Sequence, residues 1–171
     1  SAATPLAVPG GDQAYQLRSL ADAQRLRDRS ADAQSAVVIG AGFIGCEAAA
    51  SLARRGVSVT LVAPNHAPQD RRLGAEAAER LRSLVTSSGA RYVGGVAVEA
   101  IRDNAVRLDN GVTIDCDFVL AATGVRPQSA LAQNAGLTMD GSQVVVGADM
   151  RTSAPQVFAV GDAALAFNAT A

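Results

Sequence analysis

The chain has 171 residues, 49% of them apolar and 18% charged, with a formal net charge of −1. That is the composition of a folded globular protein with a proper core, and it excludes a disordered chain. A charge so near zero, with arginines scattered among acids, excludes a polybasic surface for nucleic acid or anionic membrane.

No apolar run approaches the ~20 residues that a bilayer-spanning helix needs. Residues 1–11 carry no basic leader, so the chain reads as cytoplasmic. Its two cysteines, Cys46 and Cys116, lack the spacing of a redox pair or a disulfide framework.

Pro5, Pro9, Gly10 and Gly11 make residues 1–17 an extended lead-in. Ser19-Leu20-Ala21-Asp22 has the pattern of a capping box and predicts a short helix over 20–29. Ala36-Val37-Val38-Ile39 is an apolar run ending at Gly40, as suits a strand buried on both faces of a parallel sheet. Residues 43–55 follow as a helix, with Ile44, Ala48 and Leu52 repeating at i, i+4 and Ala49 and Ala53 widening the stripe. Arg54 and Arg55 suit its C-terminal dipole, and Gly56 stops it. Residues 57–62 read as a second strand. Strand, glycine loop, helix and strand thus fall within about 30 residues, the length of a βαβ unit.

A second helix is predicted over 74–87, with Ala78, Leu81, Leu84 and Val85 as its buried face. Residues 91–93 form a short strand, and 96–101, 105–108 and 113–120 three more, with Asn110-Gly111 turning between the last two. The fold class is α/β, a Rossmann-like nucleotide-binding domain with a central parallel sheet and a three-stranded β-meander. After Pro127 the pattern gives a short helix (129–135), a strand (143–146), a loop (151–155) and an apolar strand (157–160) ending in Gly161-Asp162. This tail has too little apolar content for its own core and reads as a piece of a neighbouring domain. The domain boundaries are 1–33 for the lead-in and first helix, 34–124 for the nucleotide-binding domain, and 125–171 for the tail.

The loop Gly40-Ala41-Gly42-Phe43-Ile44-Gly45 has the chemistry of a pyrophosphate cradle. Gly40 allows the tight turn out of the strand, Gly42 removes a side chain where phosphates must sit, and Gly45 lets the helix pack closely on the strand. The N-terminus of the following helix adds unpaired N–H groups and partial positive charge. A bare G-x-G-x-x-G is weak, but here it sits between a strand and a helix that leads to a second strand. That second strand should end in an acid for the adenosine ribose. Val62-Ala63-Pro64-Asn65-His66 stands there instead. Asn65 or His66 offers hydrogen bonds in its place. Arg71 and Arg72 suit a 2′-phosphate or simply the surface, so NAD and NADP both stay open. Glu47 is read as a first-turn acid favourable to the helix dipole, and Cys46 beside it as a packed small residue rather than an activated thiol. Cys116 is placed in a strand, as a core residue or a strand-edge filler. His66, the only histidine, has no triad-like company.

The residues also carry a resemblance. Residues 6–10 and 17–23, the run Val37 to Glu47, Ala122-Thr123-Gly124-Val125-Arg126-Pro127, and residues 151–164 resemble the pyridine nucleotide-disulfide oxidoreductase superfamily, especially its ferredoxin-reductase branch. In that family an NAD(P)H domain is inserted within an FAD domain. The resemblance implies that Gly40, Gly42, Phe43, Ile44 and Gly45 bind the nicotinamide dinucleotide and that Glu47 lies near the nicotinamide. It implies that Thr123 and Gly124 border the dinucleotide, that Gly161 and Asp162 belong to an FAD motif, and that 125–171 is a C-terminal fragment of an FAD domain. Ala63 departs from the acid many members carry. The first FAD fingerprint and the C-terminal interface domain are not in the chain, which reads as a middle segment inactive alone.

The resemblance further implies an FAD-dependent NAD(P)H oxidoreductase with a ferredoxin-like electron acceptor. The alternatives are a peroxide, disulfide or nitrite reductase of the same superfamily, or a non-catalytic nucleotide-binding module. Self-association stays open, through the tail.

Overall fold

The first helix starts as its capping box dictates. The Ser19 hydroxyl accepts the Asp22 N–H at 3.1 Å, and the Asp22 carboxylate accepts the Ser19 N–H at 2.8 Å. With both ends of the box satisfied, α1 runs Leu20–Ala31, two residues beyond the predicted stop. The computed structural model describes residues 1–166; the end of the 125–171 tail lies outside the described residues. Two compact units emerge, one spanning Ala3–Gly124 and the other joining Ser1–Ala2 to the residues from Val125 onward.

In the larger unit, β1 (Ser35–Ile39), α2 (Phe43–Arg54) and β2 (Ser58–Ala63) form the expected βαβ unit. Next come a four-residue helix α3 (Asp70–Leu73), α4 (Ala75–Ser87) and β3 (Arg91–Gly94). Then come β4 (Val98–Arg102), β5 (Ala105–Leu108), β6 (Thr113–Asp115) and β7 (Phe118–Ala121). The sheet order is β3-β2-β1-β7, with every pair parallel. The strands β4-β5-β6 make a separate antiparallel meander. Tyr15, in the lead-in, bridges alongside Leu120 of β7.

Strand alternation divides the core by face. Ala36, Val38, Val59, Leu61, Phe118 and Leu120 pack on one side with Ala48, Ala49 and Leu52 of α2, Val85 of α4 and Leu26 of α1. Val37, Ile39, Val62 and Val119 pack on the other with Ile101, Val106 and Leu108 of the meander. The unit is therefore helices, parallel sheet and meander in three layers. Fully covered side chains such as Val37, Val38, Leu61 and Leu120 each stabilise it by about 1.5–3 kcal/mol. The buried Thr60 hydroxyl accepts from the Arg91 guanidinium at 3.0 Å, so the sheet carries no stranded polar group there.

Three sequence expectations need correction. Leu84 is 52% exposed, so α4 buries a narrower face built on Ala78 and Val85, with Leu81 half-buried. The predicted strand 113–120 is two strands in two sheets. The break falls at Asp117, whose carboxylate accepts the backbone N–H groups of Gln34 (2.8 Å) and Ser35 (2.9 Å) and thereby holds the start of β7 against β1. Just before it, the Cys116 N–H goes to the Asn104 carbonyl in the meander. Cys116 thus lies in the link between the sheets, not in a strand.

In the smaller unit, a five-residue helix, α5 (Ala130–Asn134), precedes β8 (Met139–Asp140), β9 (Gln143–Val146) and β10 (Ala164–Ala166). β9 pairs antiparallel with β8 and parallel with β10. The third correction concerns residues 157–160, whose apolar run predicts a strand. Val157, Phe158 and Val160 are 43%, 54% and 68% exposed, and only a lone bridge from Arg151 to Phe158 forms. The Arg151 guanidinium sits 4.9 Å above the Phe158 ring. No neighbouring strand among the described residues takes up this run, so its apolar pattern does not become sheet. Among the described residues no helix is long and apolar enough to cross a membrane.

Two stability predictions follow from these contacts. Hydrogen bonds, first from the Ser35 N–H and then from Gln34, hold the Asp117 carboxyl below its ordinary value of 3.8. A carboxyl lowered in the folded state stabilises above that ordinary value, and the contribution fades as pH falls through the lowered one. Asp117→Ala should lower the melting temperature at pH 7, with the gap from wild type closing well below pH 3.8; equal gaps at both pH values would contradict the clamp. Separately, a Cβ on Gly45 would lie 1.8 Å from the Gly40 carbonyl oxygen. Gly45→Ala should therefore cost about 1–3 kcal/mol in urea unfolding, and an unchanged midpoint would show that the contact is not tight.

Candidate functional site

The loops that leave the C-terminal ends of β1, β2 and β7 surround one cleft of about 460 Å³. In a doubly wound sheet this is where ligands sit, because the strand ends splay and helix N-termini converge there. Gly40, Ala41 and Gly42 form its floor after β1. Asn65, Gln69, Asp70, Arg71 and Arg72 wall it after β2, and Ala122, Thr123 and Gly124 close it after β7.

The floor has the donor set for a diphosphate. Helix α2 takes Gly42 as its N-cap, which has no side chain to cap with. Its first intrahelical bond runs from the Cys46 N–H to the Gly42 carbonyl at 2.9 Å. The N–H groups of Phe43, Ile44 and Gly45 precede that bond and have no partner within the helix, and the helix dipole makes their end attractive to an anion. A Cβ on Gly42 would meet only Gln69 Nε2, at 3.7 Å. The protein therefore does not need glycine there for its own packing, whereas a side chain would grow into the cleft. Gly40 differs: its φ is +102°, and a Cβ would fall 2.5 Å from the Ala122 carbonyl oxygen. Gly40 also donates its N–H to the Val62 carbonyl at 2.8 Å, which ties the loop to the end of β2.

The wall after β2 departs from the sequence expectation. Ala63 is 2% exposed and offers the cleft no acceptor. The Asn65 side-chain amide donates to Asp70 Oδ1, which also accepts the Arg71 N–H at 2.6 Å. The Asn65 carbonyl accepts the Tyr92 hydroxyl at 2.9 Å, and burial is the main cause that pushes that phenol up to about 12. Arg72 lies 5.7 Å above the Phe43 ring, so α3 reaches across to the start of α2 through a cation–π contact. Arg71 is exposed at the rim. His66 is exposed outside the cleft lining, its imidazole beside Gly95. On the far side, the Thr123 hydroxyl donates to the Thr4 carbonyl at 3.0 Å, and Gly124 accepts the Thr4 N–H at 2.9 Å.

Gly40, Gly42, Asn65, Arg71, Thr123 and Gly124 are thus brought together, with Gly45 packed beneath them and Phe43 at the rim. The side chains of Ile44 and Glu47 are not: they line a separate groove of about 380 Å³ between α1 and α2. Glu47 stands in the second turn, since α2 starts at Phe43 and has no acid in its first turn. Gly161 and Asp162 lie in a 3-10 turn of the smaller unit, where Asp162 accepts the Ser1 hydroxyl at 2.6 Å. Gln69 and Asp70 were missed by sequence reasoning. The usable signal was Pro64 and Pro68, which forbid a helix and let the chain double back over the strand end, helped by Gln69 in a left-handed conformation at φ 59°.

The two cysteines are buried. Cys46 is 4% exposed and burial pushes its thiol up to about 11; burial also raises Cys116. Neither is an available thiolate at neutral pH. Among the described residues no cluster of His, Cys, Asp or Glu could hold a metal ion. What the cleft offers is backbone N–H donors, a short list of polar side chains and room for a diphosphate.

Comparison with known proteins points the same way. The profile of the pyridine nucleotide-disulphide oxidoreductase family matches residues 1–171. A nitric oxide reductase FlRd-NAD(+) reductase from Klebsiella pneumoniae subsp. pneumoniae is 33% identical over 168 residues, covering 95% of this chain and 44% of that protein. A rubredoxin-NAD(+) reductase from Acinetobacter baylyi is 32% identical over 167 residues, covering 93% and 42%. The crystal structure of the ferredoxin reductase for the CYP199A2 system from Rhodopseudomonas palustris superposes with a TM-score of 0.87 at 32% identity, over 96% of this chain and 42% of that one. The chain spans less than half the length of these relatives. With a glycine cradle at the sheet's C-terminal edge and a family match along its whole length, the chain belongs to the pyridine nucleotide-disulphide oxidoreductase family.

Proposed function

We propose that this chain is the NAD(P)H-binding part of an FAD-dependent NAD(P)H reductase that passes electrons to a ferredoxin-like protein. The observation that carries the reading is the uncapped amino end of α2 opening over Gly42 into the cleft. The relatives support it: their names join NAD(+) to flavorubredoxin-type and rubredoxin acceptors, and a covalent putidaredoxin reductase–putidaredoxin complex superposes with a TM-score of 0.87 at 30% identity. A cytoplasmic location goes with the reading.

Within it, residues 34–124 form the nucleotide-binding domain, residues 1–33 lead into it, and residues 125–171 return toward an FAD domain. The apolar residues left exposed in the smaller unit (Leu131, Phe158 and Val160 at 84%, 54% and 68%) are what a piece of a larger core would present. Gly161 and Asp162 by themselves do not make an FAD site. A bound nicotinamide supplies the hydride chemistry. The chain's own residues hold the pyrophosphate on the N–H groups that open α2, and no side chain in the cleft needs to act as acid, base or nucleophile. Ile44 joins that cradle through its backbone N–H alone, since its side chain and that of Glu47 line the separate groove.

Calorimetric titration with NADH and with NADPH tests the cradle. At least one of them should bind the folded chain. Gly42→Leu should abolish that binding while circular dichroism and melting temperature stay near wild type, because the added side chain fills the cleft rather than the core. Binding of neither nucleotide, or unchanged affinity in Gly42→Leu, would contradict the reading.

A further inference from the structure

We propose that Asp70 of α3 replaces the missing strand-end acid as the acceptor for the adenosine ribose hydroxyls, and that it makes the cleft prefer NADH to NADPH. The inference rests on the dinucleotide reading above. In a βαβ nucleotide site the adenosine ribose lies off the end of the second strand, and its hydroxyls need an acceptor there. Here that strand end provides no side chain for the purpose. Ala63 is buried and apolar, Pro64 has neither a donor nor an acceptor side chain, and the Asn65 amide is committed to Asp70.

Asp70 is the one carboxylate among the residues lining the cleft. It reaches the strand end although it is seven positions later in the chain, because the buried Pro68 and the left-handed Gln69 turn the chain back. The side chain is also held in place. Its Oδ1 accepts both the Asn65 amide and the Arg71 N–H, which leaves Oδ2 as an acceptor for a hydroxyl. An ionised carboxylate only accepts, so it suits the two ribose hydroxyls of NADH and repels the 2′-phosphate of NADPH. The arginines beside it are the competing feature. Arg72 is engaged over the Phe43 ring, which leaves Arg71 alone to meet a phosphate across the Asp70 charge.

The test is titration of NADH and NADPH into the wild-type chain, Asp70→Asn and Asp70→Glu. Wild type should bind NADH about tenfold or more tightly than NADPH, the scale of one hydrogen bond to a charged group. Asp70→Asn keeps an oxygen for Asn65 and Arg71 but loses the charge. It should weaken NADH about tenfold and leave NADPH equal or tighter, so that the preference collapses. Asp70→Glu keeps the charge and should retain discrimination against NADPH. If Asp70 merely braced its loop, both variants would weaken both nucleotides alike, and that result overturns the assignment. A wild-type preference for NADPH that disappears in Arg71→Ala overturns it too. Should the folded wild type bind neither nucleotide, the dinucleotide reading itself fails and the assignment falls with it.

Discussion

The packing of α2 onto the turn that leaves β1 governs the rest of the larger unit. A Cβ on Gly45 would stand 1.8 Å from the Gly40 carbonyl oxygen, and one on Gly40 would strike the Ala122 carbonyl. Three stretches of backbone therefore meet closely, with only the Ala122 methyl beside Gly45: the turn after β1, the first turn of α2 and the segment after β7. That approach puts the N-cap of α2, Gly42, on the cleft beyond the strand ends. It also brings Ala122, Thr123 and Gly124 to the same cleft as Gly42, although about 80 residues separate them in the chain. The buried stripes of β1 and α2 stabilise this arrangement, but the glycines decide its geometry.

Much of the molecule was legible because it rests on backbone constraints with local signatures. The capping box at Ser19 and Asp22 is a four-residue pattern and forms as written. The run Val37 to Ile39 is buried on both faces because parallel strands with layers above and below must be. Gly40 and Gly45 could be assigned roles from spacing alone, since their roles are steric. Gly42 was legible for a different reason: the fold leaves room for a side chain there, so its glycine points to a ligand rather than to packing.

Where the sequence misled, the deciding contact came from far along the chain. The run from Thr113 to Leu120 alternates like one strand. It breaks because Asp117 bonds to backbone groups at Gln34 and Ser35, 83 and 82 residues away. Leu84 keeps helical spacing with the buried face of α4, yet the sheet beneath covers only Ala78 and Val85 fully. The run Val157 to Val160 is apolar enough for a strand, but a strand needs a partner, and none pairs with it along its length among the described residues. Glu47 was misplaced by a single turn, because the position of the N-cap decides which residues the helix end can influence.

The same distinction separates holding a dinucleotide from choosing one. In the proposed site the cradle would use main-chain donors fixed by Gly40, Gly42 and Gly45, so it depends on the fold and can be read from a short motif. Choice at the adenosine end would, on the proposed reading, depend on side chains carried by the stretch between β2 and α4, which contributes little to the core: Asn65, Gln69, Asp70 and Arg71 are all at least partly exposed. Such a stretch can move its acid from the strand end to a later position without disturbing the sheet, provided the chain turns back. Here Pro68 and Gln69 turn it, and Tyr92 fastens it at the Asn65 carbonyl. An acid absent from its expected place in the sequence is thus no measure of the acid available in the cleft, because the ligand meets side chains in space and the backbone sets which of them arrive.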